Sequence, residues 1–209
     1  MEYFDHKCPS GLILKNLPKK QYDCIYIDPP WLYDDTNSNG KRGAAHKYDV
    51  MTMEDIASMP ILDMLKPNGV VFCWFTAPLL NVQFDIVQDH WGLEFKTRGF
   101  LWVKTNINDN RAFKGTGHYT RGNPEDCMIF RPKKSKWMPK FVPDEYVRAR
   151  RGEHSEKPAK VRQRIEAMMG DGVDKLEMFC RTSPEGWDVW GNEVGKLSKK
   201  QKKATATVD

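Results

Sequence analysis
The chain has 209 residues, 40% hydrophobic and 11% aromatic, which suits a soluble globular protein with one sizeable core. No apolar run approaches membrane-spanning length, and Met1-Glu2-Tyr3-Phe4-Asp5-His6-Lys7 lacks the pattern of a secretion signal, so a cytoplasmic protein is expected. The formal net charge is +5, but five lysines against one aspartate between Lys196 and Asp209 supply most of it, so global charge alone does not identify a nucleic-acid binder.

Residues 1–21 are weakly patterned and read as an approach to the first strand, Tyr22-Asp23-Cys24-Ile25-Tyr26-Ile27, a short β-rich run of the parallel, buried type. Asp28-Pro29-Pro30-Trp31 follows at its carboxyl end, where open α/β sheets bind ligands. The Gly-rich polar stretch from Leu32 to His46 reads as a long substrate loop. Thr52 and Asp55 have capping-box spacing for a short helix with Met53 and Ile56, which Lys66-Pro67-Asn68-Gly69 ends.

Val70 to Phe75 is a second buried strand. Thr76 and Pro78 open a helix with Leu80, Phe84, Val87 and Trp91 on one face, closed by Gly92. A third strand, roughly Phe95 to Lys104, leads into a second loop that includes Lys114-Gly115-Thr116-Gly117-His118-Tyr119, and Asp126 to Phe130 is a fourth. From Arg131 to Arg164 twelve Lys or Arg stand against four Asp or Glu, with Trp137 among them, as in a nucleic-acid track or a charged surface loop. An amphipathic helix with Val161, Ile165, Met168 and Met169 ends at Gly170. Lys175 to Cys180 is the last clear strand, and Trp187 to Gly191 is a short one. Strands alternating with helices at this spacing predict an α/β, doubly wound, largely parallel sheet. No Gly-x-Gly-x-x-Gly and no phosphate-cradling Gly-Lys-Ser/Thr loop is present, which argues against dinucleotide and nucleoside-triphosphate chemistry. Cys8, Cys24, Cys73, Cys127 and Cys180 are scattered, without Cys-x-x-Cys, so neither a disulfide framework nor a zinc site is expected.

The chemistry concentrates at Asp28 to Trp31. Two prolines fix the backbone and remove two N–H donors, Asp28 adds an acceptor, and Trp31 adds an apolar plate. That set suits a planar ring carrying an amino group. The lone pair of an adenine amine is delocalised into its ring; two fixed acceptors on its N–H bonds would localise it towards a methyl donor, by orientation and electrostatics and without a metal. The same Asp-Pro-Pro can also serve as an ordinary strand-to-loop turn. Glu177, at a strand end, could take ribose hydroxyls and Lys157 could pair with a carboxylate, although each alone is compatible with a structural role.

Taken in order, Tyr22 to Trp31, Tyr48 to Met53, Phe100-Leu101-Trp102-Val103-Lys104-Thr105-Asn106, Glu153-His154-Ser155-Glu156-Lys157-Pro158, Leu176 to Arg181 and Gly186-Trp187-Asp188-Val189-Trp190-Gly191-Asn192-Glu193 resemble the MT-A family of adenine N6-methyltransferases. This family includes the catalytic subunit that methylates adenosine in eukaryotic messenger RNA, and compact bacterial and phage relatives. The resemblance covers roughly Tyr22 to Val194. It implies a Rossmann-like fold, a mostly parallel sheet with helices on both faces, permuted motif order and S-adenosylmethionine as methyl donor. It gives Asp28, Pro29, Pro30 and Trp31 the target amine and base. Asp28 also borders the cofactor, Lys157 meets the methionine carboxylate, Arg181 and Asn192 meet the ribose or adenine end, Glu177 and Phe179 shape that pocket, and Glu193 meets ribose hydroxyls. Tyr48, Lys104 and Asn106, within these motifs, and His118, in the second loop, are candidates for substrate contact.

The acidic residue that larger members carry upstream of the tetrapeptide has no match within Cys8 to Leu17; Asp5 is the nearest candidate. The sequence before Tyr22 shows no counterpart of the long N-terminal extensions of the eukaryotic enzymes, so a minimal catalytic unit is expected. The expected organisation is one methyltransferase domain over residues 1–195 and a Lys-rich disordered tail over 196–209. The expected substrate is adenine in nucleic acid, DNA ahead of RNA, with a homo- or heterodimer as a further expectation. The alternatives are RNA adenosine methylation, a different target amine, or a non-catalytic nucleic-acid-binding partner subunit.

Overall fold
The computed structural model describes residues 1–31, 51–106, 109, 111–115, 119–152, 156–180, 182–192 and 194. Strand β1 (Tyr3–Lys7) pairs antiparallel with β2 (Ile13–Pro18), so the approach segment is a hairpin of its own. The main sheet has seven strands: β3 (Tyr22–Ile27), β4 (Leu65–Phe75), β5 (Leu93–Thr105), β6 (Glu125–Pro132), β7 (Tyr146–Arg150), β8 (Lys175–Met178) and β9 (Asp188–Trp190). Their order is β7-β5-β6-β4-β3-β8-β9.

The sheet is mixed. β6 runs antiparallel to both neighbours, β4 and β5, while β3 with β4, β3 with β8, β8 with β9 and β5 with β7 are parallel pairs. The largely parallel sheet expected from the sequence is therefore interrupted by the β5–β6–β4 pairings. An antiparallel pair needs only a hairpin, and a hairpin leaves no helix between its strands. The helices are correspondingly few: α1 (Met53–Ala57), α2 (Leu80–Asp85) between a 3₁₀ turn (Ala77–Leu79) and a π turn (Ile86–His90), and α3 (Ala159–Met169).

Strand alternation divides the core in two. Ile25, Ile27, Val71, Cys73 and Phe75 pack with Ile56 of α1 and with Val87 and Trp91. Cys24, Tyr26, Val70, Phe72 and Trp74 pack on the other face with Val161, Ile165 and Met168 of α3. Thr52 caps α1, its hydroxyl accepting the Asp55 N–H at 3.1 Å, as the spacing predicts. The Asp55 carboxylate turns instead to Ser10, taking its N–H at 3.0 Å and its hydroxyl at 2.7 Å, and so pins the first hairpin to α1.

Two boundaries differ from expectation. Lys66-Pro67-Asn68-Gly69 does not end a helix; it is an irregular stretch inside β4, where the register with β3 jumps between Tyr22 opposite Leu65 and Cys24 opposite Val70. The basic stretch contains a strand, β7, and it spans the molecule. Lys136 N–H bonds Asn68 Oδ1 at 3.0 Å, so that part lies by the early half of β4, while Arg150 pairs with Thr105 at the other end of the sheet.

Candidate active site
All strands but β6 share one direction, so the C-termini of β3, β4, β5, β7, β8 and β9 meet the N-terminus of β6 along one edge. Asp28 leaves β3 there, with its side chain 36% exposed. Lys157, two residues before α3, comes in over the Trp74 ring, its Nζ 5.2 Å from the ring centroid. That nitrogen lies 2.6 Å from Asp28 Oδ2 and 3.2 Å from Glu125 Oε2, and the Lys104 ammonium takes Glu125 Oε1. Two carboxylates and two ammonium groups thus alternate across the ends of β3, β6 and β5.

Burial alone would draw the Lys157 ammonium down; Asp28 and then Glu125 outweigh it and hold it above the usual lysine range. Burial likewise pushes the Glu125 carboxyl up, and Lys157 followed by Lys104 more than offsets this, leaving it below the usual range.

The tetrapeptide is held by its own turn. Pro29 carbonyl accepts the Trp31 N–H at 2.8 Å, closing a three-residue turn about Pro30. Trp31 is only 8% exposed; its indole N–H donates to Trp74 carbonyl at 3.1 Å, and its ring meets Phe75 edge-on at 6.3 Å. The plate read from the sequence thus sits in the core and fixes Asp28 and Pro29 from below.

A cleft opens beside Asp28 along the end of β8, lined by Tyr26, Lys157, Arg162, Glu177, Phe179 and Thr182 among others. Burial raises the Glu177 carboxyl, and Arg162, whose Nη1 is 3.1 Å from Glu177 Oε2, partly counters it. Phe179 then adopts a left-handed backbone (φ 60°) with its N–H on Trp190 carbonyl at 2.7 Å. Gly191 makes this crossing possible: its φ is 150°, and a Cβ there would stand 2.9 Å from Phe179 Cα.

Of the predicted residues, Asp28, Lys157, Glu177 and Phe179 line this cleft together. Lys104 joins them through Glu125. Asn192 is exposed just beyond β9. Asn106 shapes the loop after β5, its N–H on Arg111 carbonyl at 2.9 Å and its amide on Asp109 Oδ1 at 3.0 Å. Asp5 accepts the N–H of Asn16, a left-handed residue of β2, at 3.0 Å. Tyr48, His118, Arg181 and Glu193, the loop 32–46 and the tail 196–209 lie outside the described residues. Sequence reasoning missed Glu125 and Arg162. The only signal for Glu125 was an acidic residue at the mouth of a buried strand, one position before its predicted start. Among the described residues, no three His, Cys, Asp or Glu side chains gather as a metal site.

Comparison with known proteins identifies the family of the chain. The chain is 29% identical to the type II methyltransferase M.MunI of Mycoplasma sp, over 89% of this chain and 83% of that protein. It is 27% identical to the N(6)-adenine-specific methyltransferase METTL4 of Mus musculus, over 85% of this chain and 38% of that one. It is also 27% identical to the N6-methyladenosine RNA methyltransferase MTA1 of Pyricularia oryzae, over 88% of this chain and 49% of that one. The chain thus spans most of the first relative and half or less of the other two. The MT-A70 family profile matches residues 22–193, from the first strand of the main sheet to just past Asn192, and the chain belongs to the MT-A70 family.

Proposed function
We propose that the substrate is adenine within DNA, taken up at Asp28 and methylated there. As a member of its family the chain is an S-adenosylmethionine-dependent adenine-N6 methyltransferase. The observation that carries the site assignment is the meeting of Asp28 with Lys157 and Glu177 on one cleft. DNA is favoured over RNA because the relative whose length this chain nearly spans is a type II methyltransferase. RNA remains the second reading, since MTA1 is named as an RNA enzyme.

The cleft fits the methyl donor by its donor set. Lys157 has three N–H donors, two of them directed at Asp28 and Glu125, and the third is assigned to the methionine carboxylate. Glu177 would accept ribose hydroxyls, Phe179 would give an apolar wall, and Arg181, Asn192 and Glu193 would hold the ribose and adenine end. S-adenosylmethionine, when bound, supplies a methyl group on a positively charged sulfur.

The chain's own residues prepare the amine. Asp28 carboxylate and Pro29 carbonyl accept its two N–H bonds, and Pro29 carbonyl, which holds the Trp31 N–H on one lone pair, has a second for this. Fixed acceptors orient the nitrogen lone pair without reorganisation at the moment of transfer. Lys157 stands as counter-ion to Asp28 throughout. A duplex target must first be flipped out, at a cost of roughly a few kcal/mol. Residues 1–195 act as one methyltransferase domain in this reading, in the cytoplasm; no described helix is long and apolar enough to cross a membrane.

The test is incubation of wild type and Asp28→Ala with S-adenosylmethionine and matched single- and double-stranded DNA and RNA, then nucleoside mass spectrometry. N6-methyladenine from wild type on DNA, absent with the variant, is expected. Product on RNA alone would replace DNA by RNA, and no methylated base from any polymer would overturn the reading.

A further inference from the structure
β7 is the last strand of the sheet, and its sequence Tyr146-Val147-Arg148-Ala149-Arg150 is divided by strand alternation. Val147 is buried in the core with α3 and Ala149 packs against it. Tyr146, Arg148 and Arg150 point to the opposite face and are exposed, Tyr146 by 51%. Consecutive members of this stripe stand about 6.8 Å apart, and the stripe runs about 13 Å towards the edge that carries Asp28. Arg151, just after the strand, stacks its guanidinium 4.0 Å from the Phe113 ring centroid. The strand is held in place independently: Arg164 Nη1 from α3 bonds the carbonyls of Asp144 at 2.6 Å and Tyr146 at 2.9 Å.

We propose that the Tyr146, Arg148 and Arg150 face of β7 is a track for the nucleic-acid strand that flanks the target adenine. This rests on the methyltransferase reading above and names the surface that holds its polymer. Guanidinium groups bind phosphates through two parallel N–H bonds, and a fixed strand sets them at a repeat on the scale of successive phosphates in one strand. Tyr146 adds a ring on which an unpaired base stacks. Four strand spacings separate β7 from β3, about 19 Å along the sheet, so the track holds nucleotides a few positions from the one at Asp28. The commoner use of charge on an edge strand, prevention of sheet-to-sheet pairing, asks neither for arginine nor for an aromatic in the same stripe.

The test measures binding of a labelled single-stranded adenine-containing DNA oligonucleotide to the full chain across a salt series, for wild type, R148Q/R150Q, R148K/R150K, Y146A and a control, K133Q/K134Q, on the basic stretch after β6. R148Q/R150Q should weaken binding about tenfold or more and lower the salt slope by about 1.4, the value for two phosphates on a single strand. R148K/R150K should keep the slope, Y146A should weaken binding without changing it, and the control should weaken binding less than R148Q/R150Q. S-adenosylmethionine affinity should be unchanged in all four. If R148Q/R150Q does not fold, Y146A decides. Unaltered affinity and slope in R148Q/R150Q, or unaltered affinity in Y146A, would overturn the track. Product analysis separates the two levels: wild type making N6-methyladenine while R148Q/R150Q binds and methylates like it sinks the track alone, whereas wild type making none sinks the methyltransferase reading.

Discussion

Lys157 and Asp28 stand 129 residues apart in sequence and 2.6 Å apart in the structure, with the Glu125 carboxylate on the other side of the same ammonium. Under the proposed function the lysine would serve the amine-binding end of the cleft as much as its cofactor end.

Replacing Lys157 by methionine keeps most of the stem over Trp74 and removes the charge. Asp28 and Glu125 then face each other with no cation between them. Breaking a fully buried pair costs about 3–5 kcal/mol, and because Asp28 is a third exposed the expected loss is about 2 kcal/mol. Urea denaturation should show this destabilisation, and radiolabelled methyl transfer should fall about a hundredfold. Wild-type transfer rates in Lys157→Met would remove the lysine from the site.

Glu125→Gln tests the other half of the quartet through pH. A carboxyl held below its unfolded value contributes stability that is present above about pH 4.3 and lost as pH falls through the folded value. The variant should therefore be less stable than wild type at pH 7, and the gap should close on acidification towards pH 3. Parallel acid shifts of the urea midpoint in both proteins would contradict this.

Arg162 is the cation that partly offsets the burial of Glu177. Glu177 must be ionised to accept two ribose hydroxyls, so S-adenosylmethionine affinity should weaken as pH falls through its raised value. In Arg162→Gln the carboxyl is raised further and the weakening should begin at higher pH. Calorimetric titrations taken from neutral pH downwards through the carboxylate range read this directly. A pH-independent affinity in both proteins would remove Glu177 from the ribose.

Gly191→Ala places a methyl group 2.9 Å from Phe179 Cα at a backbone conformation alanine rarely adopts. The expected cost is about 1–3 kcal/mol in stability. The end of β8 must also shift, so S-adenosylmethionine binding should weaken along with the melting temperature. Lost stability with intact binding would place the crossing outside the cofactor site.

Much of this arrangement is legible in the sequence. Tyr22 to Ile27 is buried on both faces, so it shows as a continuous apolar run with an abrupt end at Asp28. Helix α3 shows because its buried residues Val161, Ile165, Met168 and Met169 keep helical spacing. β7 did not show, because only Val147 of its five residues is buried and the arginines outvote it. The Pro67-Asn68-Gly69 turn signal was real, but long-range pairing with β3 placed it inside a strand. The ion quartet was hidden for another reason. Asp28 and Lys157 each read as site residues, yet their contact depends on the order in which strands lie side by side, and no local pattern encodes that order.

β6 alone runs against the other strands of its sheet, so the chain leaves β5 at Thr105 and enters β6 at Glu125 on the same rim as Asp28. A parallel partner would have obliged the connection to travel round to the far rim and to carry a packing helix on the way. Segment 106–124 has no such journey, and the sheet does not dictate its length. The fold thus lets the stretch between these two strand ends vary beside Asp28 while the pairing of β5 with β6 stays as it is.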